Sequence, residues 1–233
     1  MQIKSQAIVL QALKHQDNSL VLKLFTQEKG LITCFTKHNT SKKKRTVKWQ
    51  LLDVVELDLV HSSNSDFYGI KEASYAFKHT GRYFDPYKLS MSYFVAETLL
   101  KAMSEKNISY PELYSFALDS LNNLEETNNI AMYPIDFILN MADIMGIKPK
   151  VVEGGYVFNL SEGTIDTRPV GLQSVSTNEV VMLAGYIRNG NFEQPPGKEQ
   201  RGRMLQLLLD FLKYHLPGFI EIKSLAVLKE VLN

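Results

Sequence analysis

The first 78 residues alternate. In "NSLVLKLFT" Leu20, Leu22 and Leu24 interleave with Val21, Lys23 and Phe25, and in "GLITCFT" Leu31, Thr33 and Phe35 interleave with Ile32, Cys34 and Thr36. In "DVVELDLV" Val55, Leu57 and Leu59 take one side and Glu56 and Asp58 the other. A period of two is what a half-buried strand requires, because successive side chains leave opposite faces of a sheet. Adding "AIVLQAL" before these and "FYGIKEASYAF" after them predicts five strands. "TQEKG" reads as a tight hairpin between the second and third, with Gly30 free to take positive φ. The other joints are polar: "KHQDN", a long basic stretch after the third strand, and "HSSNSD". Five short strands with a long connection after the third predict an OB-fold barrel. An SH3-like barrel fits the same pattern. In an OB-fold, strands two and three with the first and last of these joints form the oligonucleotide face, and those places carry Lys14, His15, Lys23, Lys37, His38 and His61.

"HTGRYFDPYK" then breaks the alternation with Gly81 and Pro86, and the period changes. Leu89, Tyr93, Ala96, Leu100 and Met103 recur at spacings of three and four, predicting one apolar helix face. Ser109 reads as a cap and Pro111 as an early helical proline, ahead of Leu113, Ala117, Leu121 and Leu124. A third helix is expected from Pro134, with Ile135, Ile138, Leu139 and Ala142 inward and a stop at Gly146. Two more are expected at 177–187 and 198–216, and a last one capped by Ser224 that buries Leu225, Leu228 and Leu232. Between the third and fourth, Val157 and Phe158 stand between Gly-Gly and "SEG", which predicts a small hairpin. The expected organisation is α+β: a barrel domain at 1–80, then a helical domain at 81–233 with an insert at about 149–170.

Charge is unevenly spread. Residues 1–80 hold 12 Lys+Arg against 7 Asp+Glu, whereas residues 81–233 hold 14 against 18, although the whole chain is only +1. Lys42, Lys43, Lys44 and Arg45 are consecutive, with Lys48 and the sole tryptophan, Trp49, just after them. Such a cluster neutralises phosphates and releases their counterions. About four contacts to a single strand predict roughly a fifty-fold loss of affinity between 50 and 200 mM salt. A neighbouring aromatic adds base stacking, for which Trp49, Phe35 and Tyr68 are the candidates. Trp49 reads equally as a plug of the barrel, and the basic run also reads as a solvated loop.

Familiar catalytic patterns are missing. There is no Gly-rich loop ending in Lys-Ser or Lys-Thr and no G-x-S-x-G elbow, and the acidic residues are scattered rather than convergent. The lone cysteine, Cys34, alternates into a strand and reads as a small buried hydrophobe; one cysteine and five dispersed histidines form no zinc ligand set. With no run of about 18 apolar residues, no membrane span is expected; the expected location is a reducing cytoplasm. These readings favour binding over catalysis.

The N-terminal "AIVLQALKHQDNSLVLKLFTQEKGLITCFTK", the central "DFILNMADIMGIKP" and the C-terminal "LLLDFLKYHLPGFIEIKSLAVLKEVL" together resemble the RecO family of bacterial recombination mediators, in order and spacing across the whole chain. The resemblance implies an N-terminal OB domain, a helical domain, and non-enzymatic binding of single- and double-stranded DNA near the nucleoid. It further implies annealing of complementary strands, and action with RecR to load RecA on strands coated by single-strand binding protein (SSB). It places DNA on the barrel, for which Lys14, Lys23, Lys37, His38, Lys42, Lys43, Lys44, Arg45, Lys48 and Trp49 are the expected residues. It places the acidic SSB tail on the helical domain, where Arg201, Arg203, Lys213 and His215 are the expected contacts. Many family members carry a four-cysteine zinc module in the central insert. "VVEGGYVFNLSEGTIDTRP" occupies that place without a cysteine, so no metal or other cofactor is expected. A different class of function, an OB-containing adaptor for protein or structured RNA, remains the alternative.

Overall fold

A computed structural model describes residues 2–15, 19–37, 47–61, 65–77, 84–103, 108–127, 130–171, 173–192 and 194–231. Five strands, β1 (Gln2–His15), β2 (Ser19–Thr26), β3 (Gly30–Lys37), β4 (Val54–His61) and β5 (Tyr68–Phe77), close into a barrel in the order β1-β2-β3-β5-β4. All neighbours are antiparallel except β3 and β5, which run parallel and meet at two pairs, Cys34↔Tyr68 and Phe35↔Gly69. This is the OB-type barrel that the alternation predicts.

The barrel interior holds Val9, Leu22, Leu24, Ile32, Cys34, Val55, Leu57, Leu59 and Tyr68, the inward rows of the alternating stretches. Burial pushes the Cys34 thiol up to about 12, so it is a packed hydrophobe here. Gly30 turns the β2–β3 hairpin at φ 62°, and a Cβ there would collide with the Ile108 carbonyl. The register of β1 shifts between Val9 and Gln11. At that bulge Val9 exchanges backbone hydrogen bonds with the segment before β4: its N–H donates to Asp53 O (3.0 Å) and its carbonyl accepts from Leu52 N–H (2.7 Å).

Compactness groups residues 1–127 and 222–231 into one unit and 128–221 into another. The change of period near residue 81 thus separates strands from helices, while α1 (Pro86–Ala102), α2 (Pro111–Glu126) and α6 (Ser224–Val231) belong with the barrel. Tyr114 of α2 explains part of this. Its ring lies 5.2 Å edge-on to Phe25, and its hydroxyl donates to Gln6 Oε1 at 3.2 Å. The expected α2 face, Leu113, Ala117, Leu121 and Leu124, is buried. Two local expectations fail. Ser109 is not the cap of α2: Tyr110 holds that position, and the Ser109 hydroxyl donates to Gln27 O. The buried side of α1 is Met91, Phe94, Val95, Thr98, Leu99 and Ala102, whereas Tyr93 is 51% exposed. α1 is apolar around most of its circumference, so more than one stripe at spacings of three and four can be drawn on it.

The start of α6 is fastened by a carboxylate from α1. Glu97 accepts from Lys223 N–H, Ser224 N–H and the Ser224 hydroxyl at 2.7–2.9 Å and pairs with Lys101 at 2.8 Å. Burial opposes its ionisation, but these hydrogen bonds together outweigh that and hold its pKa at about 2. Leu225 and Leu228 are buried as expected, and Leu232 lies outside the described residues.

The second unit contains α3 (Tyr133–Ile144), α4 (Asn178–Asn189) and α5 (Lys198–His215). Ile135, Ile138, Leu139 and Ala142 point inward from α3 as expected, and Gly146 follows the helix at φ 71°. The insert is larger than a hairpin. β7 (Val157–Asn159) and β8 (Thr164–Asp166) form the expected hairpin, flanked by β6 (Lys150–Val151) and β9 (Ser174–Val175) in the order β6-β8-β7-β9. Val157, Phe158, Leu160 and Ile165 fill it. Fully buried Asn159 crosslinks it: the side-chain oxygen accepts from Val170 N–H and the Ser174 hydroxyl, both at 2.7 Å, and the amide donates to Arg168 O at 3.2 Å. Residues 150–175 include neither cysteine nor histidine, so they do not suit the zinc held by relatives at this place.

Candidate nucleic-acid interface

Outside the barrel, the register of β1, β2 and β3 sorts side chains into rows. Ile8, Phe25 and Leu31 form one row, buried under Tyr114. Gln11, Lys23 and Thr33 form the next, where Lys23 Nζ donates to Thr33 Oγ1 at 2.9 Å. The third row is Leu13, Val21 and Phe35, and a fourth joins His15, Ser19 and Lys37. The same face therefore passes from helix-covered to open along the strands. In the open part Phe35 is 39% exposed, with the His15 ring edge-on at 5.6 Å and the Phe67 ring edge-on at 4.7 Å.

Of the residues expected to meet DNA, Lys23 stands on this open face and Lys37 ends β3 beside it. Lys14 alternates to the other side, in register with inward-facing Leu20. It is nevertheless exposed, because past the bulge β1 has left β4 and pairs with β2 alone. Lys48 is exposed, and its backbone N–H donates to the Tyr75 hydroxyl at 2.7 Å. Trp49 adopts φ 51°, a left-handed conformation rare for a bulky residue, and its half-buried ring packs on the barrel core. His38, Lys42, Lys43, Lys44 and Arg45 lie outside the described residues; in sequence they follow directly on β3. Tyr68, a stacking candidate by type, is buried in the core with the His61 ring stacked on it at 4.4 Å. Phe67 beside it is the exposed ring that pattern reading missed. A single aromatic at the start of a strand carries no periodic signal of which way it will point.

The four residues expected to hold an acidic peptide all belong to α5, yet they do not share a face. At 100° per residue Arg203 is about 160° and Lys213 about 120° around the axis from Arg201. Most are already engaged. Arg203 Nε donates to largely buried Glu179 at 2.8 Å and its Nη1 lies 3.6 Å from Glu199. Lys213 pairs with Asp210 at 2.8 Å. His215 Nε2 lies 2.9 Å from Leu160 O, with its ring 4.3 Å from Phe211, so it fastens the insert to α5. Arg201 Nη1 donates to Pro196 O at 2.8 Å.

Comparison with known proteins adds the following. The family profile "Recombination protein O N terminal" matches residues 1–77, and "Recombination protein O C terminal" matches residues 83–226. The chain is 29% identical over 239 residues to the DNA repair protein RecO of Flavobacterium johnsoniae, with 100% of both chains covered. It is 28% identical over 240 residues to the protein of the same name from Phocaeicola vulgatus, covering 99% of each. The counterpart from Porphyromonas gingivalis is 24% identical over 247 residues, again with 100% of both covered.

Proposed function

The chain belongs to the recombination protein O family, and from that membership we propose that it is a DNA-binding mediator of recombinational repair in the cytoplasm. In this reading it anneals complementary strands and helps load a RecA-type recombinase on single-stranded DNA coated by SSB, together with RecR. The observation that carries the reading is the open outer face of the barrel. An OB-type barrel leaves strands β1–β3 uncovered where Lys23 and Phe35 stand, and the basic run 42–45 follows on β3. Cations hold phosphates without reading sequence. They also screen the repulsion between two strands, which lowers the barrier to pairing with no covalent step.

The test is annealing of complementary oligonucleotides precoated with SSB. Acceleration by the protein is expected. DNA binding without acceleration would favour an adaptor role instead. For the acidic SSB tail, the proposed contacts reduce to Arg201 and Lys213, because Arg203 and His215 have structural partners within their own unit. A labelled tail peptide should bind Arg201→Glu more weakly in fluorescence anisotropy, and equal binding would reject the site.

A further inference from the structure

We propose that an apolar belt across the barrel, centred on Phe35, is a stacking platform for unpaired bases and makes this face prefer single-stranded over duplex DNA. The inference rests on the DNA-binding reading above and deepens it.

The belt follows from register. Leu13 pairs with Val21, Val21 with Phe35, Phe35 with Gly69, and Gly69 with Val60, so one row of outward positions crosses all five strands. Leu13 (51%), Phe35 (39%) and Val60 (43%) are all exposed, and Phe67 (44%) leans on Phe35 from just ahead of β5. Isolated exposed apolar residues need no explanation, but a contiguous exposed row does. Gly69 is the one position in the row with no side chain. A Cβ there would come within 2.9 Å of Val60 Cγ2, so the absence of a side chain leaves space between Phe35 and Val60.

The occupant is argued from what borders the belt. Lys23 lies one row away, about 7 Å along the strand. Lys37 and the 42–45 run follow Phe35 in sequence. Rings flanked by cations suit a chain that alternates π-faces with phosphates, and stacking tolerates any base because every base has a π-face. A duplex keeps its bases stacked on one another, so it can use the cations but not the rings.

The experiment compares wild type, the double variant Phe35→Ala/Phe67→Ala, and Phe35→Tyr, using labelled thymidine oligomers and a duplex of equal length across a salt series. The double variant should bind the single strand about tenfold more weakly or worse, with its salt slope and duplex affinity unchanged; Phe35→Tyr should retain binding. Thermal melts establish that each variant is folded. Single-strand and duplex affinities falling together, or neither falling, would overturn the proposal. So would unchanged DNA binding with lost binding to purified RecR, which would make the belt a protein-docking face. If wild type binds neither DNA at low salt, the DNA-binding reading itself fails, an outcome separate from failure of the belt alone.

Discussion

Around the barrel, Leu13, Phe35, Val60 and Phe67 face solvent. In the four-stranded insert, Val157, Phe158 and Ile165 are buried, and polar Asn159 is buried with them. Cations differ in the same way. Lys14 and Lys48 are exposed and have no acidic partner among the described residues, whereas Arg203 and Lys213 of α5 are paired with acids of their own unit. One region turns its binding chemistry outward and the other turns it on itself. Counting residue types along a chain therefore does not locate a site. What locates it is which groups folding leaves without an internal task.

The sharpest way to break this contrast is to remove the internal task. Asn159→Leu leaves the Val170 N–H, the Ser174 hydroxyl and the Arg168 carbonyl without their partner. It should cost about 2–3 kcal/mol of stability, read as a lower urea midpoint, with DNA affinity unchanged. Reversal of Lys42, Lys43, Lys44 and Arg45 to Glu should do the opposite: stability holds, while the fifty-fold affinity loss expected between 50 and 200 mM salt flattens out. An unchanged salt slope in a titration would remove the basic run from the interface. Arg203→Glu places a third carboxylate beside Glu179 and Glu199. It should lower stability by about 1–2 kcal/mol and leave DNA binding alone.

Glu97 sharpens the comparison from the other side, as an inward-turned charge in the barrel's unit. Its pKa of about 2 lies below the ordinary 4.5. Its contribution is therefore fully present above pH 4.5 and is lost as pH falls from there toward 2. Glu97→Gln should cost about 1 kcal/mol at neutral pH and flatten this part of the acid-unfolding profile. An unaltered profile would show that the α1–α6 fastening is not what titrates.

Much of this was legible in the sequence, for physical reasons that also mark its limits. Strand alternation identifies the barrel because half-buried strands of eight residues enforce it. Gly30 was readable because a tight hairpin needs positive φ. The two-residue strands β6 and β9 were not readable, since two residues have no period. Asn159 looks like a turn residue until its four neighbours are brought round it. The belt was half visible. Phe35 and Lys23 were placed on the oligonucleotide face from alternation, but the row through Gly69 to Val60 depends on a parallel pairing between distant strands. The α5 cations misled for the converse reason, since sequence shows their charge but not the carboxylates that already satisfy it.

The barrel is closed by two residue pairs between strands that lie about 30 residues apart in the chain. So short a seam joins ends whose loop entropy is large, which makes it the last joint to zip during folding and the first to unzip. Amide protons of Tyr68 and Gly69 should then exchange with solvent ahead of those in the β1–β2 ladder. A ligand lying across Phe35 and Gly69 would bridge that fastening and slow the exchange, so occupancy could be read from the barrel's own breathing.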